Sequence, residues 1–329
     1  MQDPPRSSRR GFLGGAATLL LLGCGASQEP RPAAAEAATA GSAGASPATP
    51  TAPTTSPPAT SPEPNAQAAP ALARVEAQLG GRLGVAALDT ATGARVGHRA
   101  AERFAMCSTF KALLAASLLA RVDQGKLTLD RRVTYRASDL LEHAPVTRAH
   151  LAEGSLTVEE LCAAAVEISD NTAANLLLAQ IGGPAGLTAY IRSLGDQVTR
   201  FDRNEPTLNT NVPGDPRDTT SPDAMTDTIR VLLVGDRALS EASRARLKSW
   251  MVRSTTGLAR LRAGLPKDWV VGDKTGTGEN GAANDVAVAW PPSRAPIVIA
   301  CFVDAPSASV DARNAAHAEA ARIVAEVFG

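Results

Sequence analysis

The 329-residue chain has no excess of charge of either sign, because 33 Lys and Arg residues balance 33 Asp and Glu residues. A chain without such a bias has no bulk attraction for nucleic acid or for a charged membrane surface. The sequence also lacks an internal repeat, a heptad pattern and the glycine fingerprint of a nucleotide site. These absences argue against several classes of binding protein and leave a two-lobed catalytic unit as the expectation.

Cysteine and histidine are scarce, and neither is spaced like a disulfide framework or a set of metal ligands. Beyond Cys24 the cysteines are Cys107, Cys162 and Cys301. Their odd number leaves at least one free thiol, unless one pairs with another chain. The histidines are His98, His143, His150 and His317, scattered along the chain. We therefore predict neither a metal site nor a cofactor.

The amino end carries export signals. Arg9 and Arg10 form a twin-arginine pattern that leads into the apolar stretch 14–22, which is too short to span a bilayer. Leu21-Leu22-Gly23-Cys24 resembles the lipobox of bacterial lipoproteins, whose cysteine becomes the lipidated first residue. The alternative is a chance arginine pair before an apolar patch. We predict a signal peptide over 1–23, export by the twin-arginine route, and a periplasmic or cell-envelope lipoprotein anchored in the membrane through Cys24.

Residues 24–69 are dominated by Ala, Pro, Ser and Thr. Such a segment buries too little apolar surface to offset its ordering entropy, and its prolines favour extended conformations. The sequence therefore predicts a disordered tether over 24–69 and a catalytic domain over 70–329.

Hydrophobic periodicity places strands at both ends of that domain and helices between them. Strand patterns occur at 82–89, 94–100, 269–276, 285–290 and 297–303, and helical patterns at 71–79, at 311–328 and through most of 110–194. This order predicts an α+β sandwich: a five-stranded antiparallel sheet flanked by helices, beside an all-helical lobe. The sheet lobe covers about 70–106 and 255–329, and the helical lobe about 107–254.

Ser108 and Lys111 form the first candidate catalytic pair. If Ser108 begins the helix that follows, Lys111 lies one turn further along and on the same face. A serine hydroxyl is a poor nucleophile until a neighbouring group accepts its proton, and a lysine with a lowered pKa can do so. A Ser-x-x-Lys match also arises roughly once by chance in a chain of this length, so the pair needs support from elsewhere.

Two further polar triplets provide that support. Ser169-Asp170-Asn171 lies between two helical patterns, where a polar triplet is often only a helix cap. Lys274-Thr275-Gly276 lies in a strand pattern, where it could be a solvated edge. Together, and in this order, the three motifs resemble the signature set shared by serine β-lactamases and penicillin-binding proteins. The similarity to class A β-lactamases runs from about residue 70 to 329.

This resemblance implies hydrolysis of the β-lactam amide of penicillins and cephalosporins through a serine acyl-enzyme, which gives antibiotic resistance. The implied catalytic residues are Ser108, Lys111, Ser169, Glu205 and Lys274. The implied substrate-binding residues are Asn171, Asn209, Thr275, Gly276, Thr277, Arg260 and His143. Whether Lys111 or Glu205 takes the serine proton stays open. The expected partner is a small β-lactam bound by a monomer.

The segment 200–209 separates the hydrolases from the penicillin-binding proteins. Glu205 and Asn209 look like the pair that directs a water at the acyl-enzyme. The resemblance also implies a cis bond before Pro206 and an ion pair between Arg203 and Asp218 that closes the loop. The alternatives are a D,D-peptidase of peptidoglycan, which has no use for Glu205 and Asn209, and a non-catalytic cell-envelope lipoprotein.

The chain departs from its relatives at several positions. Ala283 stands where many members supply an arginine to the substrate carboxylate, so Arg260 is the expected substitute, unless it is a surface arginine of a basic stretch. Cys107 resembles a cysteine that some carbapenem-hydrolysing members bridge to a partner, but that partner position here is Gly278. Likewise Ala115 occupies the position that would pair with Cys162, so we expect no disulfide there.

Overall fold

The computed structural model describes residues 63–329. The predicted signal peptide, the lipidation site Cys24 and the tether up to residue 62 lie outside the described residues. From residue 63 onward the helices are α1 (Pro64–Leu79), α2 (Phe110–Asp123), α3 (Pro145–Ala149), α4 (Val158–Glu167), α5 (Asn171–Gln180), α6 (Gly183–Ser193), α7 (Pro222–Leu233), α8 (Glu241–Val252), α9 (Leu261–Gly264) and α10 (Val310–Phe328).

The strands of the same range are β1 (Arg82–Asp89), β2 (Arg95–His98), β3 (Phe104–Ala105), β4 (Arg132–Thr134), β5 (Ser155–Thr157), β6 (Thr219–Thr220), β7 (Val270–Thr277), β8 (Ala282–Trp290) and β9 (Ile297–Asp304). Five of them form one antiparallel sheet in the order β2-β1-β9-β8-β7. The predicted five-stranded antiparallel sheet is thus confirmed, and β7, which carries Lys274, is one of its edges.

Both faces of the sheet are covered, which explains why β8 and β9 read as nearly continuous apolar runs. On one face Val286, Val298 and Phe302 join the core formed by the helices of the middle of the chain. On the other face Ile297 and Ile299 join a second core with residues of α1 and α10. The helix α7 packs on β1 and β9, so a helix from the predicted helical lobe covers the sheet.

The helix α1 begins earlier than the sequence indicated. Residues 64–69, which the sequence assigns to the tether, form its first turns, with Pro64 in the first turn, where its missing N–H costs nothing. Ala68 and Leu72 are fully buried in the core shared with α10. This contact with the far end of the chain orders a segment whose composition alone is that of a linker.

The start of the nucleophile helix also differs. Ser108 lies in a 3₁₀ turn over Cys107–Thr109, and α2 begins at Phe110. Cys107, Cys162 and Cys301 are free and buried, so the pairing of Cys162 that the sequence argued against is absent among the described residues. No helix between residues 63 and 329 is long and apolar enough to cross a membrane.

Candidate active site

The turn before α2 holds Ser108 against Lys111. Cys107 has a φ of 47°, a left-handed conformation that costs a non-glycine residue energy and that often occurs at functional sites. This conformation places Ser108 just before the first residue of α2, where the Lys111 amine donates to Ser108 Oγ over 2.9 Å. The predicted contact is confirmed, although through a 3₁₀ turn. Because α2 is buried from Phe110 to Ala120, Lys111 is fully enclosed.

The second motif provides one cap and two site residues. The Asp170 carboxylate caps α5 through Ala173 N and also accepts from the backbone of Thr147. Asp170 is therefore the structural member of the triplet. Its neighbours face Lys111, whose amine lies 3.2 Å from Ser169 Oγ and 2.5 Å from Asn171 Oδ1.

The third motif brings a second buried amine to Ser169. The Nζ atom of Lys274, on β7, lies 3.2 Å from Ser169 Oγ. The same amine donates to Thr275 O over 2.8 Å. Burial and then the charge of Lys111 lower the pKa of Lys274 to about 7. Ser169 therefore lies between two lysines and can pass a proton in either direction. Although β7 is an edge strand, the alternative that Lys274 lies on a solvated face is wrong, since its side chain is fully buried.

Glu205 completes the arrangement around the nucleophile. Ser108 donates to Glu205 Oε1 over 3.1 Å, and Lys111 Nζ lies 3.0 Å from the same oxygen. The other oxygen, Oε2, accepts from Asn209 Nδ2 over 2.6 Å. The backbone of Glu205 is held on both sides by the Asn175 side chain, at 2.9 and 3.0 Å. This clamp fixes the carboxylate within reach of Ser108.

Two details of this loop that the resemblance implied are present. The Glu205–Pro206 peptide bond is cis. The guanidinium of Arg203 donates to the buried carboxylate of Asp218 over 2.5 Å, and Asp218 also accepts the backbone N–H groups of Asp202 and Arg203. The two ends of the loop are thereby tied together.

The proton state of Lys111 is set by opposing effects. Burial lowers the pKa of Lys111, while the charge of Glu205 and their hydrogen bond raise it. The amine also has more acceptors within reach than its three protons can serve: Ser108 Oγ, Ser169 O, Ser169 Oγ, Asn171 Oδ1 and Glu205 Oε1. Such an amine can change its hydrogen-bond partners as charge moves during a reaction.

Arg260 is not a surface arginine. Its Nε donates to Asn314 Oδ1, its Nη1 donates to the carbonyls of Gly276 and Asn284, and its Nη2 donates to Thr277 Oγ1 over 2.7 Å. A guanidinium has five N–H groups, and these bonds use four of them. One N–H on Nη2, beside Thr277, remains for a ligand.

Its neighbour Arg262 is half-buried. Arg262 forms an ion pair with the fully buried Asp273, one residue before Lys274. A side chain at Gly257 would place a Cβ only 2.0 Å from that carboxylate, so this position requires glycine. Neither arginine of the basic stretch is a solvated surface group.

These residues surround a cleft of 320 Å³. Its lining is Ser108, His143, Ser169, Asn171, Asn209, Thr256, Arg260, Thr275 and Thr277. Lys111, Glu205 and Lys274 are buried beside it. Gly276 contributes by its lack of a side chain, because a Cβ there would approach Met106 O to 2.6 Å and Ser108 N to 3.2 Å.

Sequence analysis missed Thr256 and Asn175. Thr256 belongs to the polar run Ser254-Thr255-Thr256, which no motif marks. Asn175 lies inside a helical pattern, and nothing near it in the sequence indicates that its side chain contacts Glu205 in a distant loop. For a metal, no three His, Cys, Asp or Glu side chains come together between residues 63 and 329.

Comparisons with known proteins agree with this geometry. Residues 67–328 match the model of the β-lactamase enzyme family. β-Lactamase CTX-M-8 of Citrobacter amalonaticus is 49% identical over 257 residues, which cover 78% of this chain and 88% of the relative. β-Lactamase AST-1 of Nocardia asteroides is 50% identical over 275 residues, with 84% and 88% covered.

Solved structures are similar as well. An ancestral (GNCA) class A β-lactamase superimposes with a TM-score of 0.78 at 60% identity, over 80% of this chain and all (100%) of that one. A putative class A β-lactamase, PenP from Rhodopseudomonas palustris, gives a TM-score of 0.77 at 54% identity, over 79% and 98% of the two chains.

Proposed function

The chain belongs to the class A β-lactamases, and on that premise we propose how its own residues divide the steps of β-lactam hydrolysis. The enzyme opens the β-lactam amide of penicillins and cephalosporins through a serine acyl-enzyme, which gives antibiotic resistance. The observation that carries the assignment of roles is the position of the Ser108 hydroxyl, within 3.1 Å of both Lys111 and Glu205.

In acylation, Ser108 Oγ attacks the carbonyl carbon of the ring and its proton passes to Lys111 or to Glu205. Both groups contact the hydroxyl directly, so the geometry suits either base. The backbone N–H groups of Ser108 and Thr277 stabilise the oxyanion. As the ring C–N bond breaks, Ser169 delivers a proton to the departing nitrogen, and the two lysines beside it supply that proton.

In deacylation, Glu205 activates water. Once Ser108 is acylated it has no proton to donate, so Glu205 Oε1 becomes free to accept one from water. Asn209 Oδ1 is a buried acceptor without a partner among the described residues, and it lies beside that carboxylate. A water that donates to both oxygens is aimed at the ester. A D,D-peptidase has no need of this pair.

Substrate binding uses the cleft walls. Lys274, Thr275, Thr277 and Arg260 hold the carboxylate of the substrate by charge-assisted hydrogen bonds. Asn171 holds its side-chain amide, and the exposed ring of His143 lies at the rim.

The test of these roles is Glu205→Ala. This variant should still acylate Ser108, because Lys111 can assist the first step, but it should not release the product. Mass spectrometry after mixing with a penicillin should show a persistent adduct on the peptide that contains Ser108. The exposed Glu279→Ala serves as the matched control and should turn over without an adduct. Rapid turnover by Glu205→Ala would disprove the assignment of Glu205.

We also propose that the enzyme is exported and held at the cell envelope. The twin-arginine pattern and the lipobox support export and a lipid anchor on Cys24 in the periplasm or cell envelope. The site is complete within one chain, so activity as a monomer is part of what we propose.

A further inference from the structure

A row of hydroxyl groups leads from the cleft to a buried ion pair. Thr275 Oγ1 lies 2.7 Å from Thr256 Oγ1, and Thr256 Oγ1 lies 3.4 Å from Ser254 Oγ. Ser254 donates to Asp273 Oδ2 over 3.1 Å. Asp273 Oδ1 accepts from both Nε and Nη2 of Arg262, and this charge-assisted pair opposes the burial that raises the pKa of Asp273.

The Asp273 carboxylate at the end of this row determines which hydroxyl donates to which neighbour. A carboxylate only accepts, and a serine has one proton, so Ser254 gives its proton to Asp273 and can only accept from Thr256. The hydroxyl of Thr256 has one proton to donate and two possible acceptors, Ser254 Oγ and Thr275 Oγ1. Ser254 at 3.4 Å is beyond the usual range for O–H···O, whereas Thr275 at 2.7 Å is at its centre. The distances therefore favour donation from Thr256 to Thr275.

The neighbouring threonine of β7 shows the same arrangement. Thr277 Oγ1 accepts from Arg260 Nη2, so the proton of Thr277 is directed away from the guanidinium. Thr275 and Thr277 lie two residues apart on one strand, so their side chains share one face. When Thr275 Oγ1 accepts from Thr256 and Thr277 Oγ1 accepts from Arg260, both threonine O–H groups are left to donate into the cleft. Two such parallel donors match the two oxygens of a carboxylate.

We propose that Thr256 is a positioning residue for the substrate carboxylate: its hydroxyl donates to Thr275 and so directs the Thr275 proton at the ligand. This inference rests on the proposed function. It adds a residue of the loop after α8 to the recognition of the substrate.

The test compares Thr256→Val, which keeps the shape and removes the hydroxyl, with Thr256→Ser, which keeps the hydroxyl. The matched control is Thr255→Val, because Thr255 is exposed on the same loop and its side chain makes only a 3.4 Å contact with Glu167 O. Each variant is assayed with benzylpenicillin and with its methyl ester, which lacks the charged acceptor.

We expect Thr256→Val to raise KM for benzylpenicillin about 3- to 10-fold with kcat nearly unchanged, because the lost hydrogen bond acts on binding. Thr256→Ser and Thr255→Val should stay within about twofold of wild type, and Thr256→Val should not change kcat/KM for the ester. An unchanged KM for Thr256→Val, or an equal loss on acid and ester, overturns the proposal while leaving the proposed function intact. Absence of turnover by the wild-type enzyme would instead overturn the proposed function.

Discussion

Removal of the Arg260 side chain tests how the substrate carboxylate is held. Four of its five N–H groups are committed to Asn314, Gly276, Asn284 and Thr277, which leaves one for a ligand. One charge-assisted hydrogen bond is worth about 1.5–3 kcal/mol, or roughly 10- to 150-fold in a rate ratio. We therefore expect Arg260→Ala to lose one to two orders of magnitude in kcat/KM for penicillins that carry a free carboxylate.

The same substitution also removes contacts within the fold. The carbonyls of Gly276 and Asn284 each lose a charged donor, and an unsatisfied buried acceptor costs about 1–3 kcal/mol. The melting temperature should therefore fall, and the kinetics must be measured where circular dichroism shows that the variant is folded. A comparison with the methyl ester separates the two effects, because a loss that comes from the fold lowers both rates equally.

The control for charge is a neighbouring cation. Arg262 is unsuitable, since its ion pair with the buried Asp273 makes Arg262→Ala disruptive in itself. Arg313 on α10 is better, because its side chain makes no hydrogen bond or ion pair among residues 63–329. Arg313→Ala should retain near wild-type kcat/KM. If the folded Arg260→Ala variant also retains near wild-type kcat/KM, Lys274 and the threonines hold the carboxylate without Arg260. The role assigned to the free N–H of Arg260 would then be disproved.

Two more predictions concern pH and location. The pKa of Lys274 is lowered to about 7, so this amine loses its charge as the pH rises through that value. In initial-rate assays, KM for penicillins should therefore rise above pH 7. A KM that stays constant up to pH 9 would contradict the lowered pKa. In the leader, Arg9→Lys with Arg10→Lys should block export, and Cys24→Ala should release a soluble enzyme; Cys24→Ala protein in the membrane pellet would disprove lipidation at Cys24.

The candidate catalytic residues could be named from the sequence because each motif is local and the set resembles a family signature. Ser108 and Lys111 are three residues apart, and such a spacing puts two side chains on one face of any helical turn. The five strands were equally predictable, since each is a run of mostly apolar residues bounded by turns. The start of α1 was not, because Ala68 is held in the helix by packing in the core shared with α10 at the other end of the chain.

The sequence by itself determined the set of candidate reactive groups and the succession of strands and helices along the chain, because spacing and periodicity act over a few residues. Only the tertiary structure decided which protons are available. Arg260 keeps one free N–H because Asn314, Gly276, Asn284 and Thr277 take the others. Thr256 meets Thr275 because α8, which precedes its loop, packs against β7. Hydrogen-bond direction depends on partners distant in the chain, and no local pattern records them.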